Sequence, residues 1–328
     1  MMSYDHLQAV FMGALNIDII ANGLAHFAEP GAQVNGNDLF ISAGGKACNM
    51  ARMASAYLGA DRVAMIGKTA KDTHKLWAIP IQALNKAGII TDFIVTIEPD
   101  KAQLPTIAII LGDRSYRNKV YYFRGVNENL SRAEIDQAQP LFEQLAQAKG
   151  FLVMSFEMPA RSVEYALEKA AEMGIRVLVD PGGAHPAEDY TALLEKPIFL
   201  LKPNTHEAEK LSGVRVTDFQ SASQAASILM KKGVQRVLIT HGEQGAYLFS
   251  DEISEHISLA PIPQSSIFES TGSGDQVMAI LTAKLLEGET LLAAAQTAVL
   301  AGTLQSYRAG TQALTKSEID QAVEAYLH

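Results

Sequence analysis

Between residues 131 and 240 the chain changes its hydrophobic period again and again, and that alternation decides what it can fold into. Helical spacing over 131–149 gives way to a strand-like run at 150–155. The exchange repeats with a helix over 160–173 and a strand at 175–180, then a helix at about 187–195 and a strand at 198–202. Helices at 205–212 and 220–232 precede a strand at 234–240 and a hairpin-like 245–258. A strand that returns after each helix lies parallel to the one before, with helices packed over both faces. Upstream the same units appear: a buried strand over 8–15, a helix closing at Gly59, a strand at 62–67, a helix around 75–87 and a strand around 89–96. The expectation is a three-layer α/β fold with a mostly parallel central sheet flanked by helices. It takes residues 1–328 as one domain, because no linker or repeat interrupts them.

Two segments depart from the alternation. Residues 19–42 are rich in strand and turn formers, and 105–124 reads as two strands around a polar turn from Asp113 to Asn118. Together they predict a small β-sheet insertion outside the alternation. Period two sets Val120 and Tyr122 against Tyr121 and Phe123, so this sheet is apolar on both faces. One face can cover a ligand. The other wants a partner, and a homodimer through this sheet is the expectation.

Composition narrows the partners. A net charge of −9 offers nothing to nucleic acid or an anionic membrane. Cys48 is the only cysteine, which excludes an intramolecular disulfide. The N-terminal MMSYDHLQAV lacks a basic segment followed by an apolar one, and the apolar stretch from Leu291 to Leu304 is too short to span a bilayer. The protein is expected in the cytoplasm.

Chemistry concentrates in two glycine motifs. Gly272-Ser273-Gly274-Asp275 opens a helix that is apolar nearly all round, so the helix should be buried. Its first N–H groups have no partner within the helix, and with the dipole they suit an anion. Asp275 would repel that anion and needs another task, such as taking a proton from an attacking hydroxyl. Read alone, the turn fits helix capping as well as phosphate binding. The second motif, Gly44-Gly45-Lys46-Ala47-Cys48-Asn49, opens a helix whose apolar face is Ala47, Met50, Ala51, Ala54 and Leu58. Lys46 and Asn49 add donors suited to hydroxyl oxygens. Other signatures fail. Gly67-Lys68-Thr69 has Arg62 where a Walker A loop needs glycine, and Gly13 stands without the further glycines of a dinucleotide fingerprint.

Further polar residues follow strand ends: Asn16 and Asp18 after the first strand, Glu157 after 150–155, Asn204 and Glu207 after 198–202, and Thr240, Gly242 and Gly245 after 234–240. Open α/β sheets bind ligands along that carboxyl edge. Singly, each of these fits a turn or cap equally well.

On these residues the sequence resembles the PfkB carbohydrate kinases, the ribokinase-like family. The likeness rests on Gly44 to Ala51 and on Glu269 to Asp275, and it extends from Gly13 to Gly310. The resemblance implies that the β insertions at 19–42 and 105–124 form a small β-sheet lid over the sugar. It implies Asp275 as catalytic base and Gly272, Ser273 and Gly274 as an anion hole. It implies Asn16, Asp18, Gly44, Gly45, Lys46, Asn49 and Glu157 as sugar contacts. It implies Asn204 and Glu207 as a Mg²⁺ site, held through water, and Asn204, Thr240, Gly242 and Gly245 as nucleotide contacts. Gly125-Val126-Asn127 resembles the family's stretch after the lid. Glu269 stands where Asp is usual, Ser273 where Ala is usual, and Leu314 where a hydroxyl residue is usual, which leaves activation by a monovalent cation such as K⁺ open. The implied activity is ATP-dependent phosphorylation of a sugar hydroxymethyl group. Two alternatives are a nucleoside kinase, with Tyr121, Tyr122 and Phe123 stacking on a base, and a catalytically silent sugar-binding regulator.

Overall fold

The computed structural model describes residues 4–98, 104–114, 118–262, 271–308 and 310–327. Glu269 and Ser270, and the middle of the turn between Asp113 and Asn118, lie outside the described residues. The chain begins with β1 (Ala9–Met12), β2 (Asn16–Leu24), β3 (Asp38–Gly44), α1 (Lys46–Leu58), β4 (Val63–Ala70), α2 (Ala78–Lys86) and β5 (Ile90–Ile97). It continues through β6 (Thr106–Asp113), β7 (Asn118–Phe123), α3 (Arg132–Gln137), α4 (Gln139–Ala148), β8 (Phe151–Ser155), α5 (Ala160–Glu172), β9 (Arg176–Asp180) and β10 (Leu200–Leu201). The last third holds α6 (Thr205–Ser212), α7 (Phe219–Lys232), β11 (Val237–Thr240), β12 (Ala246–Phe249), β13 (Ser254–Ile257), α8 (Ser273–Leu286), α9 (Leu291–Gln305) and α10 (Lys316–Tyr326).

Nine strands form one sheet in the order β13-β12-β11-β10-β9-β8-β1-β4-β5. The pairs from β11 through β8 to β5 are parallel, and the β11–β12 and β12–β13 pairs are antiparallel. Alternating side chains feed two cores. Val10, Met12, Leu152, Met154, Val177 and Val179 pack on one side with α4, α5 and α7 residues such as Phe142, Leu167 and Leu229. Ala9, Phe11, Phe151, Val153 and Leu178 pack on the other with Met50 of α1, Met278 and Ile280 of α8, and Ala298 of α9. This is the three-layer arrangement that the alternation predicts. Strand order reverses at β1, which lies between β4 and β8, and the carboxyl ends of strands at such a reversal are where open α/β sheets place their ligand crevice.

A separate four-stranded sheet, β3-β2-β6-β7, is made by the two segments that interrupt the alternation. It begins nearer the core than 19–42: β2 already starts at Asn16 and β3 runs to Gly44.

Two helix expectations change. The helix over 131–149 breaks at Ala138 into α3 and α4, with Pro140, which has no N–H, in the first turn of α4. The region 187–195 is not an α-helix but a short 3₁₀ turn, Thr191–Glu195. Side chains compete for the backbone there: His185 Nδ1 accepts from Ala187 N–H at 3.0 Å and Asp189 accepts from Thr191 N–H at 2.8 Å.

Candidate active site

The two glycine motifs meet. Asp275 lies in the first turn of α8 and is 5% exposed. Lys46 Nζ donates to its Oδ1 at 3.0 Å, and Asn49 Nδ2 donates to its Oδ2 at 3.0 Å. Lys46 and Asn49 stand three residues apart on α1, the spacing that aligns two side chains on one helix face. Gly45, with φ 93°, starts α1 in a conformation that side-chain-bearing residues avoid, and a Cβ there would stand 2.5 Å from the Ala14 carbonyl oxygen. Gly44 serves by leaving room: a Cβ on it would stand 2.1 Å from the Asp18 carboxylate. Gly272 caps α8 in the left-handed region, at φ 79°. The Ser273 hydroxyl and Asn49 Oδ1 are buried without a hydrogen-bond partner among the described residues. A buried polar atom left so is costly unless a ligand or water completes it.

Glu157 sits beside them. Its Oε2 accepts the Lys46 backbone N–H at 2.6 Å. Burial pushes this carboxyl up to about 7, against the pull of Lys46, and Asp275 and Asp18 push the same way. Asp18 rises to about 7 as well, first from burial and then from Asp275, with Arg52 acting in the opposite sense. For Lys46, burial opposes the charge, but Asp180, Asp275, Glu207 and Glu157 outweigh it and hold the ammonium well above its ordinary pKa.

Asp18 and Asn16 reach the crevice from β2. Register pairs Asp18 with Ala108 and Ala108 with Tyr122, so Asp18, Asn16 and Tyr122 share one face of the small sheet. The Tyr122 hydroxyl donates to Asn16 Oδ1 at 3.2 Å, and Asn127 Nδ2 donates to the same oxygen at 3.0 Å. Asn127 Oδ1 in turn accepts Leu15 N–H at 3.3 Å. Tyr121 and Phe123 point to the opposite face, at 50% and 56% exposure.

Asp180 and Lys202 are part of the site, and sequence reasoning missed both. Asp180, at the end of β9, is 0% exposed. It accepts from Lys202 Nζ at 2.9 Å, from Lys46 Nζ at 3.3 Å and from Gly182 N–H at 2.8 Å. Burial works against its charge, but Lys202 and Lys46 prevail and hold the carboxyl below the usual range. The loop after it must be bare: a Cβ on Gly182 would stand 2.1 Å from Lys46 Cε, and one on Gly183 2.0 Å from Glu157 Cγ. A signal was present in the sequence, an Asp closing a strand before Pro181-Gly182-Gly183 on the same carboxyl edge.

Asn204, Glu207 and Thr240 lie farther along that edge. Asn204 Oδ1 accepts Glu207 N–H at 2.9 Å, and Glu207 Oε2 accepts Asn204 N–H at 2.9 Å, a capping box that starts α6. Asn204 bridges to Thr240 across the sheet edge. Burial, then Asp180, raises the Glu207 pKa, with Lys202 and Lys46 opposing, so Glu207 feels the central cluster. Gly242 and Gly245 bound a 3₁₀ turn after β11 and make no hydrogen bond to the Asp275 group among those described. Among the described residues no three His, Cys, Asp or Glu side chains form a metal cage. With Asn204 Oδ1 and Glu207 Oε2 held in the box, the pair fits a hydrated Mg²⁺ held through water, because that ion keeps most of its own shell.

Comparison with known proteins gives a consistent result. Residues 7–318 match the pfkB family carbohydrate kinase model. A ribokinase of Haemophilus influenzae is 32% identical over 237 residues, 72% of this chain and 72% of that protein. A deoxyribokinase of Salmonella typhi is 27% identical over 83% of this chain and 84% of its own. The structure of Arabidopsis thaliana ribokinase complexed with ribose and ATP superposes with a TM-score of 0.81 over 97% of this chain and 99% of that one, at 21% identity.

Proposed function

The chain belongs to the pfkB family of carbohydrate kinases, and from that premise we propose that it transfers the γ-phosphoryl group of ATP to the hydroxymethyl group of a ribose-like sugar. The observation that carries the reading is the meeting of Asp275, at the N-terminus of buried α8, with Lys46 and Asn49 of α1. Ribokinase and deoxyribokinase are the named activities of its relatives, which supports a pentose.

Each group has a task. Asp18, Asn49 and Glu157 accept hydrogen bonds from sugar hydroxyls, and Asn16, whose Oδ1 already accepts from Tyr122 and Asn127, donates through its Nδ2. Asp275 takes the proton of the attacking hydroxymethyl oxygen as its bond to the γ-phosphorus forms. The bond from that phosphorus to the β–γ bridging oxygen breaks, and ADP leaves. The N–H groups of Ser273 and Gly274, with the Ser273 hydroxyl, hold the oxygens of the transferring group where charge gathers. Lys46 ties base to sugar grip through its two ends. Mg²⁺, carried by ATP and held through water by Asn204 and Glu207, would offset charge on the phosphates. Thr240, Gly242 and Gly245 would line the nucleotide.

The buried Leu314 side chain supplies no hydroxyl oxygen to a monovalent cation, but its backbone carbonyl remains an acceptor, so activation by K⁺ stays open. The small sheet acts as a lid and, through its outer face, as the surface of a homodimer. Among the described residues no helix is long and apolar enough to cross a membrane, and a cytoplasmic setting would supply the ATP. The nucleoside reading loses its platform, because only Tyr122 of the three aromatic residues faces the crevice and its hydroxyl is bound to Asn16. An ADP-release assay over a panel of pentoses, hexoses and nucleosides tests the whole reading. Turnover with a pentose supports it, and ADP release with nucleosides alone or with no substrate would overturn it.

A further inference from the structure

Lys202 follows β10 on the carboxyl edge and is 2% exposed. Its ammonium donates to Asp180 Oδ2 at 2.9 Å, and Asp180 is shared with Lys46. A Cβ placed on Gly274 would stand 3.4 Å from Lys202 Nζ, so the ammonium lies against the first turn of α8. That placement runs against simple electrostatics. A helix N-terminus behaves as about half a positive charge, and cations are favoured at the other end. Here a formal positive charge lies against a positive helix end; Asp180, the carboxylate in direct contact with Lys202, is shared with Lys46, and Glu207 acts on it from farther off.

The geometry points to Lys202 as a catalytic residue of the phosphoryl transfer, an ammonium that meets the migrating group opposite the α8 N–H groups and is positioned by Asp180. The inference rests on the kinase reading above and deepens it. Lys202 moves no proton. It sets a full charge beside the phosphoryl oxygens while the new O–P bond forms and the β–γ bridge breaks, and the hydroxyl proton still goes to Asp275. In a site this dry such a charge acts with little screening and needs no rearrangement when the reaction occurs. A lysine kept only to balance Asp180 would be dispensable once Asp180 is neutralised as well, which separates the two roles.

The test compares Lys202→Met with the double variant Lys202→Met/Asp180→Asn, which leaves no orphaned carboxylate. Three quantities are read: kcat, KM for the sugar, and the tightening of MgADP binding when fluoroaluminate is added in the presence of sugar, as a mimic of the planar phosphoryl group. Expected in both variants are a fall in kcat of about 10²–10³-fold, the loss typical of one oxyanion donor, a sugar KM within about threefold of the parent, and loss of most of the fluoroaluminate tightening. Either variant keeping kcat within about fivefold would overturn the proposal. So would a low kcat with the tightening intact. Failure of both variants to fold would assign Lys202 to the core and overturn it too. A parent enzyme that turns over no sugar would instead sink the kinase reading itself.

Discussion

At the α8 end of the crevice, charge is packed into the core. Asp275, Asp180 and Lys202 are 5%, 0% and 2% exposed, and each is held by a partner at 2.9–3.3 Å. At the other end the small sheet turns apolar side chains to solvent, with Leu39, Ile41, Tyr121 and Phe123 at 72%, 46%, 50% and 56% exposure. The first region is intolerant: removing one partner of a buried ion pair costs about 3–5 kcal/mol, mostly from the charge left behind. The second lies outside the nine-stranded sheet, and its exposed outer side chains can change without disturbing the core. In the proposed reading, reaction chemistry sits where the fold buries its charges, and recognition and assembly fall to an appendage.

That contrast can be broken at either end. The largest effect is expected from Asp275→Asn, which should lower kcat by about 10²–10⁴-fold, the range for a general base, with sugar affinity little changed. Near-parental turnover would remove the base from the mechanism. Asp18→Ala should raise KM for sugar about ten- to hundredfold, the loss of a charged hydrogen bond, and leave KM for ATP close to normal. A shift in the ATP constant alone would reverse the two ends of the site.

On the lid, Phe123→Glu should halve the sedimenting mass, while Tyr122→Phe should keep the mass and weaken sugar binding several-fold. A parent protein that sediments as a monomer at micromolar concentration would end the assembly proposal. The smallest effect is in pH dependence. Asp18 and Glu157 bind protons up to about 7 in the folded protein, against an ordinary carboxylate range near 4 when unfolded. Their contribution to stability is thus present at acid pH and lost as pH rises through about 7. Sugar affinity should move the other way, rising as the carboxylates lose their protons. Thermal melts at pH 6 and pH 8 check this: the difference should shrink in Asp18→Asn/Glu157→Gln, and an unchanged difference would deny these groups the role.

How much was legible follows from what each residue's signal depends on. Asp275, Lys46 and Asn49 were readable because glycine before a buried helix is a local signature. The small sheet was readable from period two, down to which of Tyr121 and Tyr122 share a face with Phe123. Lys202 was not, because alone it looks like a surface lysine, and Asp180 carried only the weak signal of an Asp closing a strand before Pro181-Gly182-Gly183. Their meaning comes from a contact between β9 and β10, which no local pattern encodes. The region 187–195 misled because its composition suits a helix, and only the hydrogen bonds of His185 and Asp189 show what stops one. Asn204 and Glu207 illustrate a different limit: the same four residues spell a helix cap and a site for a hydrated ion, and here they serve as the cap in full view.

The strict alternation in β7 has a consequence for descent. Tyr122 looks into the crevice, and its neighbours Tyr121 and Phe123 look out. Inserting or deleting one residue between Asn118 and Lys119 could rotate every later side chain of the strand to the opposite face. A deletion would bring Phe123 to the place where the Tyr122 hydroxyl holds Asn16, whereas an insertion would bring Tyr121, which carries a hydroxyl of its own. A single deletion in β7 would thus change the proposed sugar grip and the proposed outer surface together.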